Sequence, residues 1–272
     1  MCQNISVHME HTFDTVDHKT AEAELFLAAM AKAGTDIFAF QCYLSAYLSA
    51  SRTTTLALQQ FKDIPNFESW YLSHRERLQS DPVAKYLLDL RNDHVHGGPY
   101  PIRGGTFHGD KAEYFFDDRL GIPALEHQDI VSVCRQHFVT LLEIVLDCYV
   151  VLGSEIDPQQ YFTKEHFTAM GRGVLQAECE VWGFERSSLI EEGYDEDARW
   201  HELRGHVSGC KINHLFYGYL GKTTPQPAEP EEYADFAFTP EDNGWLHVPA
   251  GFGALEDYWQ AHPDRRPAEP DA

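Results

Sequence analysis

A chain of 272 residues, 43% of them hydrophobic, can bury one sizeable core and support a second small module, which excludes a disordered protein. Its formal net charge of −22 opposes loose attraction to phosphate backbones, so nucleic-acid chemistry would need a place where that charge is relieved. The acid is uneven: residues 136–272 carry 9 Lys+Arg against 25 Asp+Glu, and residues 1–135 carry 12 against 18.

The opening MCQNISVHMEHTFDTVDH has early acids and no apolar run, so it does not read as a secretory signal. The apolar stretch from Phe138 to Leu152 is broken by Glu143 and Asp147 and is too short to span a bilayer. A soluble, cytoplasmic protein with no membrane partner is the expectation. The six cysteines are scattered without a C-x-x-C pair, which favours buried free thiols over disulfides or a zinc site.

Residues 21–33 read as an Ala-rich helix closed by Gly34, and Asp36 can cap the next. Ile37, Phe40, Leu44, Tyr47, Leu48 and Ser51 recur at three- and four-residue spacing, predicting one buried helical face that continues to about Phe61. Pro65-Asn66 interrupts the chain, and Phe67, Trp70, Tyr71, His74 and Leu78 resume the period. Asp81-Pro82 restarts a helix with Val83, Tyr86, Leu87 and Leu90 inward, and Gly97-Gly98-Pro99 ends it. Residues 99–125 look like a long irregular insertion with a hairpin around 103–119. Ile130 through Leu152 give the cleanest amphipathic helix.

Beyond Asp157-Pro158 the pattern weakens. One helix is expected across Phe167–Trp182 and another across 195–217, followed by a Pro/Glu linker at 223–232, a short strand pair around Asp242-Asn243-Gly244 and a disordered tail from 261. The fold class is therefore mainly α: an antiparallel up-and-down helical bundle over 1–157, a helical extension over 158–222, and an α or α+β C-terminal remainder.

The stretch Leu90-Arg91-Asn92-Asp93-His94-Val95-His96-Gly97 carries the chemistry. Arg91, Asn92 and His96 form R-N-x-x-x-H at the end of an amphipathic helix, preceded by Phe67-x-x-Trp70-Tyr71 and Asp81-Pro82. This arrangement resembles the HEPN superfamily, over residues 20–153. The resemblance implies a metal-independent endoribonuclease of toxin or phage-defence type, with Arg91, His96 and Asn92 catalytic and His94 and Arg103 as substrate-binding candidates. It also implies an RNA substrate, a homodimer whose two motifs line one cleft, an antitoxin or regulatory protein as partner, and no cofactor. The alternative is a non-catalytic scaffold that binds a nucleotide or a protein.

Elementary chemistry gives these side chains a purpose. RNA is cut without metal when its own 2′-OH attacks the adjacent phosphate, which needs a proton acceptor and a cation for the crowded phosphate. A histidine titrates near neutrality, and an arginine presents a permanently charged planar fork. Five residues turn a helix by about 500°, so Arg91 and His96 share a face only if the helix ends or loosens at His96. On the residues alone, Asp89 or Asp93 could equally pair with Arg91 and leave both histidines solvated.

Two look-alikes are set aside. His201-Glu202-Leu203-Arg204-Gly205-His206 spaces its histidines by five, not the four of a zinc-protease helix. Arg199 to His206 fits R-x6-H, but no clean amphipathic helix leads into it.

Overall fold

The computed structural model describes residues 12–95, 101–109, 111–116, 122–125, 127–183 and 195–227. They are mainly helical, with a single two-stranded sheet among them. The strand pair expected around Asp242 and the tail from 261 lie outside the described residues. The described residues divide into two compact units, 12–157 with 210–212, and 158–209 with 213–227.

In the first unit, α1 (Asp14–Lys32) and α2 (Ile37–Ala57) form a helical hairpin. Gly34 turns the chain between them at φ +54°, a left-handed conformation that suits glycine. Asp36 caps α2, accepting from the Ala39 amide at 3.0 Å. Phe40, Leu44, Tyr47 and Leu48 are its buried stripe, and the helix tightens into one 3-10 turn at Leu58–Phe61.

Asn66, left-handed at φ 67°, leads into α3 (Phe67–Ser80). α4 (Pro82–Val95) follows, and α5 (Ile130–Ile156) is the long spine of the unit, capped by Asp129 on the Ser132 amide at 3.1 Å. Paired contacts fix directions. Trp70 and His74 meet Asp147, and Arg77 meets Glu143, so α3 runs antiparallel to α5. Tyr47 reaches Cys134 while Phe13 packs on both Phe61 and Tyr149, so α2 runs with α5 and α1 against it.

The α3–α5 seam depends on one carboxylate. Asp147 Oδ2 accepts from Trp70 Nε1 at 2.7 Å and lies 2.8 Å from His74 Nε2. Trp70 is only 8% exposed, so the indole N–H has little access to replacement water. Asp147→Ala is therefore expected to cost about 1–2 kcal/mol in urea unfolding, the usual penalty for orphaning a buried donor. Unchanged stability would mean that water takes the place of the carboxylate.

Within residues 99–125 the hairpin is β1 (Ile102–His108) paired antiparallel with β2 (Lys111–Phe116), with a register shift between Ile102 and Gly104. Gly109, at φ +64°, makes the turn. Tyr86 of α4 meets Phe116 edge-on at 5.3 Å, and Tyr114 packs on Phe40 at 4.3 Å while its hydroxyl donates to Gly34 O. The insertion is thus anchored to both α4 and the α1–α2 turn.

The second unit has short helices: α6 (Pro158–Tyr161), α7 (Lys164–Ala169), α8 (Val174–Trp182), α9 (Glu196–Gly205) and α10 (Asn213–Leu220). The two longer helices expected here are each broken. Gly171, at φ +68°, separates α7 from α8, and the chain leaves α9 to place Cys210–Ile212 in the first unit before α10 begins. Phe162, Phe167, Val174, Ala177, Trp200 and Leu203 form the core. Thr224, in the stretch read as linker, is buried and bonds Asn213 Oδ1 through both its amide and its hydroxyl. Proline content there marked a chain that packs without helix.

Candidate functional site

α4 starts where Asp81-Pro82 predicts. Asp81 Oδ1 accepts from the Val83 and Ala84 amides at 2.8 and 3.3 Å, and Pro82 occupies the first turn, where it forfeits no helical bond. Ala84, Leu87 and Leu90 are buried, and Arg91 follows Leu87 by four residues on that same face.

Arg91 is therefore held against the unit and only partly buried, while Asn92 and Asp93 are exposed. Its Nη1 donates to Asn92 Oδ1 at 3.2 Å, so the neighbouring amide steadies one arm of the guanidinium. Its Nε is shut off from solvent and has no hydrogen-bond partner among the described residues. A buried unmet donor costs about 1–3 kcal/mol, so native structures hold few of them.

Of the residues singled out from sequence, the structure brings Arg91 and Asn92 together. Helix α4 continues through Val95, so position 94 lies three residues after Arg91, about 60° round the helix from it. His96 follows the last helical residue and lies outside the described residues, as does the side chain of His94. Arg103 is exposed on β1 at the register shift.

The second R-x6-H match has a structural use. Arg199 grips Glu178 with both arms, Nε to Oε1 at 2.9 Å and Nη2 to Oε2 at 2.7 Å, and Glu178 is fully buried. His206 bonds the Glu202 carbonyl at 2.8 Å and stays on the surface. Among the described residues no three His, Cys, Asp or Glu side chains gather as a metal-ion group, and no helix is long and apolar enough to cross a membrane. Cys134 and Cys148 are buried thiols whose ionisation burial opposes, whereas Cys42 is exposed, contrary to the expectation that the cysteines are buried.

Two titratable groups escaped the sequence reading. Asp17 is buried, accepting from Tyr149 Oη at 2.9 Å and the Lys211 amide at 2.7 Å. Burial pushes its carboxyl up to about 6, with Asp157 and Asp14 adding to the rise and the two hydrogen bonds opposing it. His137 has Nδ1 3.0 Å from Tyr47 Oη. That hydroxyl donates its one proton to Cys134 O at 2.7 Å, so His137 Nδ1 carries the ring proton and donates. Burial holds this imidazole down to about 4. His137 stands three residues after Cys134 on the apolar stripe of α5, and that spacing alone was a signal for it.

Residues 10–100, about a third of the chain, match the family described as Bacteriophage lambda protein ea47. The matched segment contains α1 to α4 and with them Arg91, Asn92, His94 and His96. No curated protein and no solved structure matches the chain.

Proposed function

We propose that this protein is a metal-independent endoribonuclease of HEPN type, in which Arg91 stabilises the phosphate and His96 moves the proton of the attacking 2′-OH. The observation that carries the reading is Arg91 itself. A surface arginine with no task would keep its nitrogens in water, whereas this one has Nε buried and unmet, with its Nη1 steadied by Asn92. Such a cation is oriented before any phosphate arrives, which is what electrostatic stabilisation of a developing dianion requires.

The antiparallel packing of α1 against α2 and of α3 against α5 is compatible with a helical bundle of the kind this reading needs. Two chains would combine their motifs in one cleft, with His94 and Arg103 contacting the RNA.

Incubating the full chain with single-stranded RNA in EDTA is expected to yield fragments ending in a 2′,3′-cyclic phosphate. Activity that disappears in EDTA and returns with magnesium would overturn the mechanism. Sedimentation is expected to show a dimer; a monomer at micromolar concentration would remove the composite site.

A further inference from the structure

The β1–β2 hairpin holds a ring in solvent on an unusually firm support. Phe107 is 58% exposed, and its ring stands edge-on to Tyr114 at 6.1 Å. Tyr114 is itself fixed, 2% exposed, against Phe40 and on the Gly34 carbonyl at 3.1 Å. Gly105, its partner in register, makes the arrangement possible. A Cβ at that position would lie 2.8 Å from Glu113 O and 3.0 Å from the Tyr114 ring. The Tyr114 floor beneath the Phe107 ring is therefore held in place before anything binds, which lowers the ordering cost of binding against it.

The charge along it is locally balanced. Residues 101–116 carry Arg103 and Lys111 against Asp110 and Glu113, a neutral island in a chain of net charge −22. Arg103, His108 and Lys111 are exposed, and His108 pairs with Lys111 across the turn. Glu113 accepts from Thr106 Oγ1 at 3.2 Å, on the face it shares with Lys111. Phe107 pairs with Ala112, one step along, so the ring and Lys111 lie on opposite faces of the tip.

We propose that this hairpin is the single-stranded RNA grip of the protein, with a base stacked on Phe107 and flanking phosphates held by Lys111 and Arg103. The inference rests on the ribonuclease reading for its ligand class. An aromatic face accepts any unpaired base, and the neutral charge balance limits the phosphate term to local contacts. A base-paired duplex would keep its faces stacked and offer nothing to Phe107.

The test is fluorescence anisotropy of a labelled twelve-nucleotide oligouridine on the full-length His96→Ala protein, in which binding is read without cleavage. Phe107→Ala is expected to weaken binding roughly tenfold, the usual loss of one stacked base. Lys111→Ala is expected to weaken it less and to reduce the salt slope by about one. Circular dichroism checks the fold, and the exposure of both side chains predicts no change. RNA binding that depends on Phe107 in a protein that never cuts would sink the ribonuclease reading and leave the grip standing. Cleavage with affinity and KM indifferent to Phe107 would do the reverse. A chain that binds no oligouridine, or a Phe107→Ala protein that changes its oligomeric state instead of its RNA affinity, overturns the grip; in the latter case the ring belongs to a protein interface.

Discussion

Replacing Arg91 or His96 by alanine is expected to lower RNA cleavage by about 10²–10⁴-fold each, the range for loss of a proton-transfer group or a charge-stabilising donor. Arg91→Ala should do this with little loss of stability, because Nε has no hydrogen-bond partner among the described residues and the one bond lost, from Nη1 to Asn92 Oδ1, is exposed. Stability unchanged within about 0.5 kcal/mol alongside lost activity is thus the signature sought, since loss of an exposed side-chain bond usually stays in that range. A melting temperature that falls in step with activity would make Arg91 a packing residue. The helical course through Val95 sharpens the histidine question. Position 94 lies on the same side of α4 as Arg91, so His94→Ala is the informative control. Loss at His94 with none at His96 would move the proton-transfer role two residues back, onto the helix itself.

Helix faces were legible wherever burial is apolar. The stripe of α5, the restart at Asp81-Pro82 and the hairpin within the insertion appear where the residues imply, as does the stripe of α2 from Phe40 on, Ile37 at its start being exposed. Two of the misreadings share a cause, namely long-range contacts that satisfy polar chain. α1 begins at Asp14, seven residues before the Ala-rich stretch, because buried Asp17 is satisfied by a backbone amide 194 residues away. No window of sequence contains that partner. Likewise Thr224 is buried because Asn213 receives it, although its neighbourhood reads as linker. At the candidate site, Arg91, Asn92 and His96 are legible as a motif. The buried state of Arg91 Nε and the ring tautomer at His137 came only from packing, because each depends on which neighbours exclude water.

Asp17 and His137 are expected to cancel one another in the dependence of stability on pH. In the folded protein Asp17 keeps its proton up to about pH 6, while its unfolded reference releases it near 3.8. The folded state thus binds the extra proton, and stability from this group, complete below 3.8, drains away as pH rises through 6. His137 does the opposite. Folded, it is already neutral above about pH 4, whereas unfolded it stays protonated up to 6.5, so its contribution is complete above 6.5 and is lost as pH falls through 4. Each shift corresponds to about 3 kcal/mol at most. The pair sits about 18 Å apart along α5, by the twelve residues from His137 to Tyr149, so the two effects should add independently. Urea unfolding between pH 4 and 6.5 should therefore show little slope from these groups in the unsubstituted protein. Asp17→Asn, which keeps the shape and removes the ionisation, should expose the histidine, with stability rising by up to about 3 kcal/mol across the window. His137→Gln should expose the carboxyl, with stability falling by a similar amount. Taking each variant's curve as a difference from the unsubstituted protein removes the background of unshifted carboxylates. Two parallel, flat difference curves would mean that neither group is as desolvated as its surroundings require.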